Sequence, residues 1–307
     1  MEERPTRVRR DYEQGAGARR VAALVGVLLG FGLLAAIAWA FTNRGETGAV
    51  APDEQTTQTT ATTPRKPVLR IIFPEGFTRA EMAERIKAVN AIAKQKRRIR
   101  PSLSPRAYRE IVDRVGAGLP PDFTGVEAPH MEGFLFPATY EFTKDTTSRQ
   151  LVRMQLQAFG RAWGRVDEKY ARSKQLTPYD VLIIASMVEK EVQIPRERPL
   201  VAAVIYNRLR SGIPLGIDAT IRYGLDIAPT EPIHQSELDS DSPYNTRKFA
   251  GLPPTPIGNP GLASLQAAAH PAEVDYLYFV RKPDCKSHFF TESEQEFLNY
   301  PRGGLQC

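Results

Sequence analysis

With 307 residues, 42% of them hydrophobic, the chain is long enough for one medium domain and a small one. Its formal charge of +6 is not gathered into a nucleic-acid stripe. The densest basic run, Lys94-Gln95-Lys96-Arg97-Arg98-Ile99-Arg100, has no interleaved aromatic residue for base stacking and reads as a solvated helix end. The two cysteines, Cys285 and Cys307, form no CxxC pair and have no histidine at ligand spacing, which argues against zinc. A disulfide between them and two unpaired thiols stay equally open.

Val21 to Phe41 is an uncharged apolar run of the length a helix needs to cross the ~30 Å hydrocarbon core. Arg4, Arg7, Arg9, Arg10, Arg19 and Arg20 precede it, whereas only Arg44 follows closely. This asymmetry predicts a cytoplasmic tail (1–20), a transmembrane helix (21–41) and an extracytoplasmic remainder. A cleaved signal peptide, with a shorter apolar region, is the less favoured reading. Residues 42–67, rich in Thr, Ala, Pro and Gln, read as a flexible linker.

The next segment, 68–118, reads as a small α/β module. Val68 to Phe73 is strand-like and is closed by Pro74-Glu75-Gly76. Thr78 with Glu81 forms a capping box, and Met82, Ile86 and Val89 follow at helical spacing. Ser104-Pro105 opens a second helix. Residues 119–307 read as an α+β domain. Tyr140-Glu141-Phe142 is strand-like, and Ser148 to Tyr170 is helical through Leu151, Met154, Leu156 and Phe159.

Thr177-Pro178 opens the most informative helix, with Asp180 near its positive end and Pro195 as its stop. Leu182, Ala185, Ser186 and Glu189 share one face, so Glu189 projects from an apolar stripe. A carboxyl group that must give a proton near neutral pH needs partial burial against apolar neighbours. Glu189 stands in such a place, although a solvated, ion-paired Glu near a helix end fits the spacing too. A helix over Arg196 to Arg210 follows. The Pro/Gly-rich stretch Gly251 to Gly261 reads as a fixed loop, Leu262 to Ala269 as a short helix, and Tyr276 to Val280 as a strand that His288-Phe289-Phe290 pairs with.

Four ordered stretches resemble the endolytic murein transglycosylase (YceG-like) family, between about Val68 and Tyr300. They are Met131-Glu132-Gly133-Phe134-Leu135-Phe136-Pro137 with Thr139-Tyr140; Ala185-Ser186-Met187-Val188-Glu189-Lys190-Glu191 with Glu197-Arg198 and Asn207-Arg208-Leu209; Ser242-Pro243-Tyr244-Asn245-Thr246 with the Gly251 to Gly261 loop; and Asp275 to Val280 with His288-Phe289. The resemblance implies that 68–118 is a LysM-like module and 119–307 the catalytic domain of a membrane-anchored lyase.

It further implies that Glu189 is the single acid/base that cleaves the MurNAc–GlcNAc bond and leaves 1,6-anhydro-MurNAc, with no metal and no cofactor. Asp218, Tyr244, Asn245 and Thr246 fall at positions expected to line the sugar cleft, with turn stabilisation as the equal alternative. Glu191 is expected to be structural, with Arg198 as a partner, and Glu132 to be either a cleft residue or, slightly favoured, a buried hydrogen-bond acceptor. The implied partners are glycan strands and, near the membrane, penicillin-binding proteins; the implied role is to terminate strand elongation. A hydrolase would need a second carboxylate, for which Asp218 is the candidate. A non-catalytic tethered binder is the remaining alternative.

Overall fold

The structure, a computed structural model, describes residues 67–115 and 118–301. The expected tail, the expected anchor over 21–41, all but the last residue of the linker, and Cys307 lie outside these residues. Among the described residues no helix is long and apolar enough to cross a membrane.

The architecture is α+β and rich in helix, with two small antiparallel sheets. Strand β1 (Leu69–Ile72) pairs with β2 (Thr139–Phe142), placing Leu69 opposite Phe142 and Ile71 opposite Tyr140. These four side chains face the core, while Arg70 and Glu141 pair on the outer face at 2.8 Å. The alternation follows from the two-residue period of a strand. Segment 68–118 therefore completes its sheet with a strand that lies beyond residue 118.

Helix α1 (Arg79–Arg97) starts at the Thr78–Glu81 capping box, and α2 (Pro105–Val112) starts at Ser104. Each cap satisfies amide groups that the first turn leaves unpaired. Helix α1 ends on left-handed Arg98, and the basic run lies exposed at this end. The helical pattern over Ser148 to Tyr170 divides into α3 (Ser148–Trp163) and α4 (Lys169–Ser173). Phe159 and Trp163 of α3 join Phe123, Phe134 and Tyr179 in an aromatic cluster.

Helix α5 (Pro178–Glu191) is the centre of the fold. Every residue from Val181 to Val188 is buried, so the helix is enclosed all round rather than along a single stripe. Helix α6 (Arg198–Arg210) packs on one side of it, and α9 (Leu262–Ala269) on another. The short helices α7 (Asp218–Gly224) and α8 (Gln235–Leu238) lie between α6 and α9 in the chain. Strands β3 (Tyr278–Arg281) and β4 (His288–Thr291) form the expected hairpin, followed by α10 (Glu294–Asn299).

Candidate active site

The buried length of α5 delivers Glu189 to a junction of three chain segments. Its carboxyl group is almost enclosed, with 7% of the side chain exposed. Gly261, at the start of α9, donates its backbone N–H to Glu189 Oε2 at 3.0 Å. Arg198, the first residue of α6, places Nη2 3.5 Å from Glu189 Oε1 and donates from Nε to Ser264 of α9 at 3.1 Å. The ion pair is longer than a good hydrogen bond, so Arg198 acts on Glu189 chiefly by charge. Just before Arg198, Glu197 accepts a buried contact from His288 of β4 at 2.7 Å, which fixes the start of α6.

The third segment is the turn after β1. Gly76 has a left-handed φ of +77°, and a Cβ there would stand 3.5 Å from Glu189 Cγ. The Gly76 N–H donates to the Asn259 carbonyl at 2.8 Å, and the Asn259 N–H donates to the Phe77 carbonyl at 3.0 Å. Asn259 also gives its side-chain amide to Phe77 O and to Glu132, both at 2.8 Å, and accepts from the Leu135 N–H at 2.9 Å. The Gly251 to Gly261 loop is thereby pinned, with Ile257 held by Ser186 of α5 at 3.0 Å. Next to Gly76, the carboxyl group of Glu75 lies where a Cβ on Gly261 would be. Burial raises its proton affinity, the negative charge of Glu189 adds to this, and Arg198 opposes it.

Two clefts border this junction. Arg198 lines one of about 760 Å³ with Tyr170, Pro195, Gln266 and His270. Lys190 lines another of about 700 Å³ with Arg79, Glu132, Tyr223 and Tyr244. Glu189 is part of neither wall; it meets them through its ion partner and its chain neighbour. Glu132 is fully buried and accepts from Arg79, Tyr223 and Asn259. Burial pushes its carboxyl up to about 7 against the pull of Arg79. It thus serves as a buried acceptor, tying α1, α7 and the Asn259 loop together. Burial, aided by the Arg79 charge, takes nearby His130 down to about 4, which leaves it neutral at neutral pH.

The other expected site residues do not gather around Glu189. Asp218 opens α7 and pairs with Arg247 at 2.6 Å in a further cleft of about 680 Å³, which Glu191 also lines and which shares Lys190, Ala219 and Arg222 with the cleft of Glu132 and Tyr223. Tyr244 packs on Tyr223, donates to or accepts from Thr255 at 2.8 Å, and borders the cleft of Lys190. Asn245 and Thr246 are buried. The Asn245 amide donates to the carbonyls of Leu238 and Ser240, and Thr246 Oγ1 meets Ile217 N and Thr220. Both have their polar groups satisfied inside the protein.

Arg198 turns to Glu189 rather than to Glu191, as sequence reading had it. Residues two apart on a helix point to nearly opposite sides. Glu191 instead accepts the Ala219 N–H, and burial pushes it up to about 7, against the Arg281 charge and with help from Asp218. Glu75 is the neighbour that sequence reading passed over, because Pro74-Glu75-Gly76 looks like a strand terminator and carries no local mark of its distant contact.

The sequence profile of the YceG-like family matches residues 49–302. The chain belongs to the YceG-like family. Relatives of this YceG-like chain include a Bacillus subtilis (strain 168) protein named endolytic murein transglycosylase, 36% identical over 152 residues, which are 50% of this chain and 42% of the relative. A protein of the same name from Streptococcus pneumoniae serotype 2 (strain D39 / NCTC 7466) is 32% identical over 232 residues, 71% of this chain and 41% of that one. The YceG-like chain therefore matches about two fifths of the length of these relatives. The 2.6 Å crystal structure of a YceG-like protein from Listeria monocytogenes superposes with a TM-score of 0.60 at 27% identity, over 74% of each chain.

Proposed function

We propose that this YceG-like chain is an endolytic peptidoglycan lytic transglycosylase with Glu189 as its acid/base. The observation that carries the reading is the enclosure of Glu189 at the end of a buried helix, met by the Gly261 N–H and the Arg198 cation at the margin of two clefts. The names of the relatives support the substrate class.

On this reading the protonated Glu189 gives its proton to the glycosidic oxygen between MurNAc and GlcNAc. The C1–O bond breaks, with its electron pair going to the departing GlcNAc oxygen. The MurNAc C6 hydroxyl then closes onto C1 and returns its proton to the Glu189 carboxylate. No water is consumed, so the product is a 1,6-anhydro end and the enzyme is a lyase. Asp218 and Tyr244, each on a cleft wall, are the direct sugar contacts of this proposal; Asn245 and Thr246 hold the loop that presents them.

The reading extends to a chain tethered by residues 21–41, N-terminus in the cytoplasm, with a LysM-like module over 68–118 and a catalytic domain over 119–307. It would cut nascent strands beside penicillin-binding proteins and so terminate their elongation. Mass spectrometry of digested glycan strands tests the chemistry. Anhydro ends, lost in Glu189→Gln while the fold persists, are expected. Reducing ends would make the protein a hydrolase, and intact strands a binder.

A further inference from the structure

Two carboxyl groups share Gly261. One belongs to Glu189, which accepts the glycine N–H at 3.0 Å. The other belongs to Glu75, which occupies the space that any Cβ at position 261 would need. They arrive from sequence positions more than a hundred residues apart. Glu189 comes on α5, and Glu75 comes on the turn after β1, which Asn259 locks to the Pro/Gly loop. The backbone geometry of this turn does not use the side chain at position 75. The turn is made by left-handed Gly76 and by backbone hydrogen bonds, and a neutral side chain would leave them intact. Desolvation and then the Glu189 charge raise the proton affinity of the Glu75 carboxyl group and Arg198 opposes them, while the residue as a whole stays exposed. A perturbed, solvent-reachable acid packed against the enclosed Glu189 carboxyl group is a candidate for function.

We propose that Glu75 is the second carboxylate of the reaction centre and stabilises the positive charge that develops on the sugar as Glu189 gives up its proton. The proposal rests on the transglycosylase reading above. When the C1–O bond breaks with its electrons going to the leaving oxygen, C1 and its ring oxygen are left sharing a positive charge. A carboxylate facing that centre lowers the energy of that state more than that of the neutral substrate. Glu75 forms no bond and exchanges no proton; the acid/base cycle stays with Glu189. The charges facing Glu75 are Glu189 on α5 and Arg198 on α6. Lys190, paired loosely with Glu81 of α1 at 3.9 Å, flanks the same turn through Gly76 and Gly258. Arg198 lies beside both acids and keeps the cluster from carrying two uncompensated negative charges.

Glu75 works only when ionised. Its raised proton affinity places its neutralisation at higher pH than that of an ordinary glutamate, so cleavage falls on the acid side as pH drops through that value. The test uses the full-length protein in detergent with isolated glycan strands. In Glu75→Gln, turnover is expected to fall on the order of a hundredfold with KM and melting temperature little changed, and the acid limb of the pH profile is expected to move to lower pH. Glu75→Asp is expected to recover part of the rate. Independently of activity, the carboxyl titration of Glu75, followed by carbon-13 NMR, is expected to move to lower pH in Glu189→Gln, because the neighbouring negative charge is gone.

Turnover of Glu75→Gln within about twofold of the parent, with an unmoved acid limb, would overturn the proposal. So would a Glu75 titration indifferent to Glu189→Gln. An inactive parent, or a fully active Glu189→Gln, sinks the transglycosylase reading and this proposal together. Loss of function in Glu189→Gln alone sinks only the role of Glu75.

Discussion

Glu189 Oε2 accepts the backbone N–H of Gly261 at 3.0 Å, and the missing side chain of that glycine is what lets the Glu75 carboxyl group lie alongside. Gly261 has φ −77°, an ordinary value for any residue, so the backbone alone would accept alanine. Gly261→Ala should therefore cost little in strain of its own and act by pushing Glu75 aside. We expect a stability loss of about 1 kcal/mol by urea denaturation. Glycan cleavage should fall at least about tenfold. Full activity in this variant would mean that the position of Glu75 is irrelevant.

Glu132 makes a different prediction, because its bonds are structural. Arg79, Tyr223 and Asn259 all aim donors at this fully buried carboxyl group. Glu132→Gln replaces one acceptor with a donor inside the core and leaves Asp113, at 2.8 Å, as the carboxylate partner of Arg79. The expected loss is about 3 kcal/mol in equilibrium unfolding. Since Asn259 also holds the turn that carries Gly76, cleavage should decline in step with the fold. A variant as stable as the parent would show that the network is not under load.

Asn245 and Thr246 separate a sugar-binding role from a loop-holding one. Asn245→Ala removes two donors from the Leu238 and Ser240 carbonyls in the interior, at an expected cost of about 2 kcal/mol. Below its own melting transition this variant should keep the parental KM for glycan strands. A large rise in KM at unchanged stability would restore direct contact with the substrate.

The pH dependence of stability tests the second glutamate of the Val-Glu-Lys-Glu run. Glu191 is pushed up from 4.5 to about 7 by burial, so the folded state holds its proton more tightly than the unfolded chain does. The stability this provides is complete below about pH 4.5 and is lost as pH rises towards 7. Glu191→Gln removes the titration. Relative to the parent, the variant should gain stability between those two pH values and level off above them. Thermal melts at pH 5 and pH 8 would show the crossover, and parallel curves would place the Glu191 carboxyl in an ordinary, wetter setting.

Much of the architecture could be read from the chain because its signals are local. The Thr78 capping box, the Thr177 N-cap, the helix over Leu262 to Ala269 and the strands at Tyr278 and His288 rest on residues within a few positions of one another, and the structure contains each of them. Glu189 stood out for a related reason, as an acid on the apolar face of an unbroken helix, and the structure encloses its side chain there. What the sequence could not reveal is who faces that acid. Arg198, Gly261 and Glu75 come from three separate segments, and only the packing of α5, α6, α9 and the β1 turn brings them together. Burial had the same limit: the sequence leaves sugar contact and turn stabilisation equally open for Asn245 and Thr246, and only the folded chain shows that their side chains bond to Leu238, Ser240, Ile217 and Thr220 in the interior. Helical and strand periodicity is set by backbone geometry and can be read residue by residue; electrostatic partnership is set by distance in space, which the order of residues does not encode.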